Sequence, residues 1–408
     1  MFLFPINRVP DEMNHARMTW ETFHKPTENS FKWMDEIPSN DKVKPKEYKQ
    51  LLARKIEMKN EPFKFGISLK TISFLPQLIG MTIGSWISPS VGMIIYMGRI
   101  FNALAYILGL YFLIRYFKYG KTALMFISLL PIMVQQASSL SYDVMNYLEV
   151  MLAFGFITNL AYSKRFTNRN FVQVIGLAIL LLATKPNNIL LLGLIPFVSF
   201  EFKGVLKVLN RPFKSLKIIV SRYKFVFYLL LLITIGFILQ FLMRNEGGLV
   251  HYIHVLLNTL VNARQNGDLN SILTIGVFGY LGNFTLQLPL WLIFIDIAVL
   301  VLIFLANEKD FFSKDFSIFA AWLFPIQVLA TVTVMYLQWT PIVLGHGASV
   351  SVGSQGRYFT PFLILFLPLV ANLGNFEISQ NKVLKISTIT LLVNFLISIF
   401  LIIPFYWM

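Results

Sequence analysis

The stretch "FVFYLLLLITIGFILQFLM" (225–243) decides the class of this protein. It has nineteen consecutive residues without a charged side chain, close to the ~20 residues that an α-helix needs to cross ~30 Å of hydrocarbon. Similar runs recur along a chain that is 56% apolar and only 13% charged, with a mean hydropathy of +0.65. Soluble domains do not have this composition. The sequence therefore predicts an all-α, polytopic transmembrane helix bundle.

About ten membrane-spanning helices are predicted, because each apolar run is near the length that crosses a bilayer. They are predicted at 92–114, 122–138, 144–162, 171–184, 188–202, 225–243, 289–306, 316–337, 358–374 and 383–405. The segment 74–87 has only fourteen residues and includes Pro76 and two glycines. A re-entrant or interfacial element is favoured there over a full crossing.

Charge divides the chain into two regions. Residues 1–65 carry twelve Lys/Arg and ten Asp/Glu, half of all the acidic residues, and residues 66–408 form the predicted transmembrane bundle. Alternate loops of the bundle hold seventeen and four Lys/Arg, and the positive-inside rule places the richer set in the cytoplasm. Residues 1–65 are thus expected to be extracytoplasmic, and the basic stretch 203–224 is expected to contact the inner leaflet. Membrane topology explains the net charge of +15 without nucleic-acid binding.

Several kinds of site find no support in the sequence. The chain has no cysteine, so disulfides and thiolate metal sites are excluded. It contains no phosphate-cradling glycine loop or nucleotide-binding fingerprint that would indicate ATP-driven transport. The opening "MFLFPI" is too short to span a membrane and does not resemble a signal peptide. The chain is therefore expected to have lost a first transmembrane helix; a natural short start, with export by the following helices, is the alternative.

The motif "PDEMNH" (10–15) contains the candidate catalytic residues. Asp11 and Glu12 directly follow Pro10, and His15 lies one helical turn after Asp11, so Asp11 and His15 share a face if the segment is helical. A carboxylate here would act as a general base, with His15 as a hydrogen-bond or phosphate partner. The alternative is structural, because proline and acidic residues are favoured in the first turn of a helix.

Three carboxylates and one arginine lie in or beside apolar runs. Asp143, in "SSLSYDVMNYLEV" (138–150), is expected at the outer end of a helical hairpin, as a substrate-binding residue or a helix N-cap. Glu149 lies ~9 Å deeper at 1.5 Å per residue. Glu149 and Asp296 each cost ~2.5–3.5 kcal/mol to insert, so each is expected to face a polar interior or a partner. Arg99 is expected to pair with a carboxylate or to face a cavity.

Two isolated cations lie on the face that is otherwise poor in them. Lys185 is part of "ATKPNN" (183–188), and Arg357 is part of "GSQGRYFTPF" (353–362). An anionic lipid phosphate or pyrophosphate would need such cations, and interfacial snorkelling is the alternative. His251 and His254 lie three residues apart without an identifiable third ligand, so no metal site is predicted.

Seven motifs in order along the chain carry a resemblance to a known family. They are "PDEMNH", "FLPQLIG", "GRIFNALAY", "LLPIMVQQASSLSYDV", "TKPN", "GVFGYLGNFTLQLP" and "VGSQGRYFTP". From residue 9 to about 375 the sequence resembles the predicted bacterial membrane proteins grouped as domain of unknown function 2142. That family in turn resembles membrane glycosyltransferases of the GT-C fold.

The resemblance implies an activity and roles for residues. GT-C enzymes have an acidic residue early in the first outward loop, interfacial helices after it, and a polyprenyl-phosphate sugar as donor. Asp11 matches the catalytic base by position and Glu12 its neighbour, while Arg357 and Tyr358 match "QGRYF" and Asp143 matches "SLSYD". The implied partners are membrane lipid, the lipid-linked sugar and a cell-envelope glycan acceptor, and a divalent metal requirement stays open. A flippase for lipid-linked glycans and a non-catalytic scaffold for envelope synthesis are the alternatives.

Overall fold

The protein is a helical bundle with a smaller packed segment on one end. The computed structural model describes residues 3–39, 42–262, 272–307, 311–373 and 378–408, and of residues 221 and 224 the backbone alone. We call the described residues from 3 to 65 the head. The head contains α1 (Glu12–Glu21), α2 (Lys32–Asp35), α3 (Pro45–Ala53) and a short 3-10 helix (Met58–Asn60).

The bundle follows the head along the chain. Its first half contains α4 (Thr71–Ile87), α5 (Val91–Tyr116), α6 (Lys121–Ser128), α7 (Pro131–Ala137), α8 (Asp143–Ser163), α9 (Asn168–Thr184) and 3-10 helices at Pro186–Phe197 and Gly204–Leu209. Its second half contains α10 (Asn210–Arg222), α11 (Lys224–Leu242), α12 (Gly248–Leu260), α13 (Ile275–Phe278), α14 (Leu290–Leu305), α15 (Lys314–Gln338), α16 (Thr340–Leu344), 3-10 helices at Gly356–Tyr358 and Thr360–Phe366, α17 (Leu367–Leu373) and α18 (Gln380–Trp407). Two-residue strands form two small pairs: β1 (Arg165–Phe166) with β2 (Glu201–Phe202), parallel, and β3 (Tyr280–Leu281) with β4 (Leu286–Gln287), antiparallel.

Among the described residues, five helices are long and apolar enough to cross a membrane, which confirms the all-α membrane class. These are α5, α8, α11, α15 and α18, and six shorter apolar helices accompany them among the described residues. α8 lies at the centre, with 72% of its most apolar window buried, whereas no residue of the corresponding window of α11 is buried. The basic stretch 203–224 forms the 3-10 helix Gly204–Leu209 and α10, and most of its residues are exposed.

Proline divides some of the runs predicted as single spans. The predicted span 122–138 is wrong as one helix, because α6 ends at Ser128 and α7 begins at Pro131. Pro131 has no N–H and keeps the preceding residue out of the α region, and Leu130 accordingly has φ −58° and ψ 142°. The run 188–202 is not one span either, because a twelve-residue 3-10 helix, Pro186–Phe197, contains Pro196 and ends before β2. At ~2.0 Å per residue this helix extends ~24 Å, farther than an α-helix of equal length.

α4 and α5 form a close antiparallel hairpin beside the head. α4 is continuous over seventeen residues despite Pro76, so the segment is not broken as a re-entrant element would be. Two glycines permit the close approach, since a Cβ on Gly80 would lie 2.4 Å from the carbonyl oxygen of Met97. The segments that flank α4 contact the head, through a bridge between Lys55 and Ser90 after the helix and the proximity of residue 66 to the carbonyl of residue 22 before it. The interfacial placement of the segment 74–87 stays a prediction.

A separate apolar cluster joins the head to the bundle. Trp20, Trp33 and Met34 of the head pack with Ile94 of α5 and Leu140 of the loop before α8. The first described residues are held by the carboxyl end of α18, because the Trp407 indole donates to the carbonyl of Leu3 at 2.7 Å. The head is therefore a packed layer that closes one end of the bundle.

Candidate functional site

Four charged side chains from distant parts of the chain meet beneath the head. They are Asp11 at the start of α1, Asp143 at the start of α8, Lys185 just after α9, and Arg357 in a 3-10 turn. All four were predicted as site residues. All four residues lie at helix ends or in a turn, because side chains from several helices can meet at one end of a bundle only from such positions.

Short ion pairs connect the four groups in a row. Arg357 donates from Nη2 to Asp11 Oδ2 at 2.7 Å and from Nε to Asp143 Oδ2 at 3.2 Å. Lys185 Nζ donates to Asp143 Oδ1 at 2.8 Å. Asp143 and Arg357 are almost fully buried, whereas the side chain of Asp11 is 35% exposed and that of Lys185 is 14% exposed. Two cations and two carboxylates therefore form a buried network that is open at the Asp11 end.

Local sequence explains where each side chain of the network points. Lys185 leaves the helix because Pro186 follows it, and its extended backbone (φ −130°, ψ 105°) is typical of a residue before proline. The N–H of Asp143 bonds to Ser141 Oγ at 3.2 Å, and Asn102 of α5 donates to the carbonyls of Ser139 and Ser141 in the turn before α8. Tyr142 is the N-cap residue of α8, so the carboxylate of Asp143 does not cap the helix and instead bridges the two cations.

Asp11 has a backbone conformation that is uncommon for a residue with a side chain. Its φ of 62° and ψ of 8° lie in the left-handed region, which costs roughly 1–2 kcal/mol, although Asp tolerates it better than most residues. Its side chain forms no cap hydrogen bond. It faces Arg357 and also accepts a bond from Gln355 Nε2 at 3.2 Å. Asp11 is thus the N-cap residue of α1, and its carboxylate pairs with Arg357 instead of accepting a bond from the first backbone N–H groups of the helix.

His15 lies beside the network in its neutral form. Its ring packs edge-on against Tyr142 with the ring centroids 4.5 Å apart. Burial lowers the pKa of His15 to about 4, and the nearby carboxylates of Asp143 and Asp11 only partly oppose that shift. At neutral pH the imidazole is therefore an uncharged hydrogen-bonding group.

Lys185 is enclosed by aromatic rings as well as by a carboxylate. Its ammonium group lies 3.7 Å from the ring centroid of Tyr358 and 5.5 Å from that of Tyr142, within cation–π range. Burial lowers the pKa of Lys185, and the Asp143 carboxylate opposes the shift. Tyr358, predicted as a substrate-binding residue, therefore contacts Lys185 with the face of its ring.

Several buried polar atoms at the site have no hydrogen-bond partner among the described residues. They include Arg357 Nη1, His15 Nδ1, Ser354 Oγ and Gln355 Oε1. A buried donor without a partner costs ~1–3 kcal/mol, more when it is charged. Unpaired groups this close together are typical of a site whose polar ligand would complete the hydrogen bonds.

Glu12 does not belong to the open site, which corrects its prediction as a catalytic residue. Its carboxylate is fully buried and forms a bidentate pair with Arg99, from Nε and from Nη2, both at 2.7 Å. It also accepts bonds from the N–H groups of Asn7 at 2.8 Å and Leu140 at 3.3 Å. Arg99 therefore has the carboxylate partner expected of it. The pair attaches the head to α5, and Glu12 is a structural residue.

The other candidates lie away from the network. Asp296 accepts a bond from Asn394 Nδ2 at 2.6 Å, which links α14 to α18. Glu149 accepts a bond from the Thr184 hydroxyl. His251 Nε2 lies 3.2 Å from the carbonyl of Ala348. In the described ranges, no group of three or more His, Asp and Glu side chains is placed to hold a metal ion.

Sequence reasoning does not single out Gln355 and Tyr142, which the structure adds to the site. Both residues belong to motifs that carry the family resemblance, "GSQGRYFTPF" and "SLSYD". Nothing in the spacing of either motif shows that an amide would face Asp11 or that a phenol ring would cover His15 and Lys185. Their roles depend on how the head packs over the bundle.

Comparison with known proteins identifies the family. No curated protein and no solved structure matches the chain significantly. The model of a family described as predicted membrane proteins, domain of unknown function 2142, matches residues 2–366. This match spans all seven motifs and every residue of the charged network. The chain therefore belongs to the domain of unknown function 2142 family of membrane proteins.

Proposed function

We propose that this protein is a membrane glycosyltransferase that moves a sugar from a polyprenyl-phosphate donor to an extracytoplasmic glycan of the cell envelope. The observation that carries the proposal is one partly exposed carboxylate, Asp11, paired with Arg357, with a second cation, Lys185, held in the same network through Asp143. The unpartnered Arg357 Nη1 adds a donor for an anion. The head faces outward in this proposal, because the loops on the opposite side are rich in Lys and Arg.

The proposed reaction exchanges one carbon–oxygen bond for another. Asp11 takes the proton of an acceptor hydroxyl as a general base, and the hydroxyl oxygen attacks the anomeric carbon. The bond from that carbon to the phosphate oxygen breaks with its electron pair, and the lipid phosphate leaves. Lys185 and Arg357 stabilise the charge on the departing phosphate, as fixed cations do when charge develops in a transition state.

Substrate binding would also release Asp11 from its present partner. Arg357 now divides its guanidinium between Asp11 and Asp143. A phosphate is a stronger bidentate partner for a guanidinium than one oxygen of a carboxylate, so a donor phosphate would compete for Arg357 and leave Asp11 available for the hydroxyl. Asp143, buried and bonded to both cations, is a positioning residue. The proposed chemistry uses only side chains of this chain.

The polar interior stops too early to favour a flippase. Below the network, Asn188 donates to Asn146 at 2.6 Å and Thr184 to Glu149. The next two turns of α8, from 150 to 157, are apolar and almost entirely buried. A transported headgroup would need polar groups across that distance. The described residues provide none along this face of α8.

The decisive experiment is an Asp11→Asn variant, since Asn also tolerates the left-handed conformation. We expect loss of one sugar from the envelope glycans, with normal protein abundance. The unused donor, the lipid-linked sugar, should accumulate on the outer leaflet. Asp35→Asn is the matched control, because Asp35 is an exposed head acid paired only with Arg17 among the described residues. Unchanged glycans in Asp11→Asn would refute the proposal, and trapping of the lipid-linked sugar on the inner leaflet would favour a flippase instead.

A further inference from the structure

Two loops that the positive-inside rule assigns to the cytoplasm form a single basic surface in the structure. β1 pairs with β2, and the N–H of Glu201 bonds to the carbonyl of Lys164 at 3.1 Å. This pairing joins segment 164–169 to segment 203–222, and we call the two segments together the basic surface. Nine exposed cations belong to it: Lys164, Arg165, Arg169, Lys203, Lys207, Arg211, Lys214, Lys217 and Arg222. The sequence predicts an inner-leaflet contact for 203–224 alone, and the strand pair adds the cations of the preceding loop.

Very little negative charge lies near the basic surface. Glu201 is the one acidic residue between positions 164 and 245 of the sequence. It is exposed, and its carboxylate accepts a bond from Lys203 Nζ at 2.6 Å. Nine cations beside one carboxylate create a positive potential that attracts anions. The basic surface therefore favours an anionic partner.

α10 adds an apolar edge to this charge. Five apolar residues lie within an arc of roughly 120° when the helix is viewed along its axis: Pro212, Phe213, Leu216, Ile219 and Val220. The four cations of α10 lie on the other side, together with Ile218. Leu216 is 57% exposed and Ile219 is 54% exposed, so the bundle does not cover the apolar edge. An exposed apolar arc beside a basic arc is typical of a helix that lies in a membrane interface.

Contacts with β2 fix the orientation of α10. Asn210, its first residue, accepts a bond from the N–H of Phe202 at 2.8 Å and donates to the carbonyl of the same residue at 3.0 Å. The ring of Phe213 packs against those of Phe200 and Phe202, with centroid distances of 5.6 and 5.3 Å. The cations and the apolar edge are therefore presented by a helix that is attached to the bundle.

α10 leads directly into a helix that the bundle does not enclose. α10 ends at Arg222 and α11 begins at Lys224. No residue in the most apolar window of α11 is buried, although that window is long and apolar enough to span a membrane. A helix that continues into such a span lies at the membrane surface. Membrane lipid therefore fits the basic surface better than a soluble acidic protein does.

We propose that the basic surface binds anionic phospholipids of the inner leaflet, with α10 in the plane of the membrane and its apolar edge among the acyl chains. The headgroup phosphates accept hydrogen bonds from the Lys and Arg side chains, while Leu216 and Ile219 leave water. This contact holds the cytoplasmic end of α11 beside the bundle. It uses no residue of the charged network, so it does not depend on the proposed glycosyltransferase activity.

Fluorescence quenching of the full-length protein in lipid nanodiscs tests the proposal. The chain has no cysteine, so Leu216→Cys places a single bimane label on the apolar edge of α10. The quenchers are phosphatidylglycerol and phosphatidylcholine with a nitroxide on the acyl chain, compared at equal mole fractions. We expect phosphatidylglycerol to be enriched at the label at least roughly fivefold, the factor that one Lys or Arg near the surface contributes. High salt should reduce this enrichment, because it screens the charges.

A label at a distant position controls for general lipid contact. Ile107→Cys places it on α5, where the side chain is 60% exposed, and both lipids should quench it equally. Equal quenching by the two lipids at Leu216→Cys would overturn the proposal. Absence of quenching by either lipid at that position would overturn it too, because α10 would then lie off the membrane and its charge would suit a soluble acidic partner.

Charge variants test which residues attract the lipid. Glutamine at Lys207, Arg211 and Lys214 together should abolish the preference for phosphatidylglycerol, whereas quenching by phosphatidylcholine should persist because the apolar edge is unchanged. The matched control removes the same charge from exposed lysines of the head, with glutamine at Lys25, Lys46 and Lys49, and should keep the preference. A preference that survives the loss of the three α10-side cations, or that disappears in the head control, would overturn the assignment.

Discussion

Asp11 and Glu12 are neighbours in sequence, yet the structure assigns them opposite roles, and Glu12→Gln tests that assignment. The Glu12 carboxylate accepts four hydrogen bonds, two of them from Arg99 and two from backbone N–H groups. Glutamine keeps only one acceptor oxygen and turns an amide donor toward groups that also donate. The guanidinium of Arg99 would then lose its counter-ion in a fully buried position.

The expected magnitude follows from that burial. Removing one partner of a buried ion pair costs about 3–5 kcal/mol, and here the loss is concentrated where the head attaches to α5. Local opening of the head should become more favourable by this amount, which corresponds to amide exchange roughly a hundredfold to several thousandfold faster. Hydrogen exchange measured by mass spectrometry on the protein in nanodiscs reports it peptide by peptide.

An exposed ion pair of the head provides the control for this hydrogen-exchange measurement. Asp35→Asn breaks the pair with Arg17, in which the side chains are 64% and 42% exposed, and such surface pairs contribute only about 0–1 kcal/mol. Head peptides should therefore exchange nearly as in the wild type. If Glu12→Gln exchanged as slowly as the wild type and yet abolished glycan decoration, Glu12 would belong to the catalytic site and the structural assignment would be refuted.

Three other outcomes follow from the same geometry. Burial lowers the pKa of His15 to about 4, whereas the unfolded chain takes up that proton below pH ~6.5. The free energy of unfolding should therefore fall by up to about 3 kcal/mol as the pH decreases through this window. Thermal unfolding of His15→Gln should show a correspondingly weaker dependence of stability on pH, and an unchanged dependence would contradict the assignment. Arg357→Lys keeps the charge but cannot contact both carboxylates as the guanidinium fork does; we expect at least a roughly tenfold loss of transfer activity, and wild-type activity would show that a point charge suffices. Gly80→Ala places a Cβ 2.4 Å from the carbonyl oxygen of Met97 and should destabilise the α4–α5 hairpin by about 1–3 kcal/mol; Gly176→Ala, where a Cβ meets nothing within 4 Å, should be neutral or stabilising in the same unfolding assay.

Local patterns in the sequence predict much of the bundle. The runs that became α5, α8, α11, α15 and α18 are recognisable because hydropathy adds up over a window and needs no knowledge of neighbouring helices. The division of the run 122–138 into two helices was missed, although Pro131 is the residue responsible for it. Prolines are tolerated in other membrane helices, as Pro76 and Pro325 are here, so the residue type alone does not locate a break.

The site residues likewise include some that local sequence predicts and some that it does not. Asp11, Lys185 and Arg357 could be predicted, because charged residues at the ends of apolar runs are few and their cost is high. Which acid of the pair "DE" faces the site could not be predicted from residue type, since both are carboxylates that follow a proline. The backbone turn at Asp11, with φ of 62°, sends its side chain to Arg357, and the next residue consequently points to Arg99.

The sequence by itself determined a helical membrane protein with a charged segment at its amino-terminal end and a small set of ionisable candidates. Only the tertiary structure decided that Arg357 reaches Asp11, 346 residues away, and that Arg99 reaches Glu12, 87 residues away. Hydropathy is a sum over adjacent residues, whereas the pairing of buried charges depends on how the head settles over helix ends that are distant in the chain. The same packing that buries Glu12 leaves Asp11 accessible, and that difference distinguishes the structural acid from the proposed base.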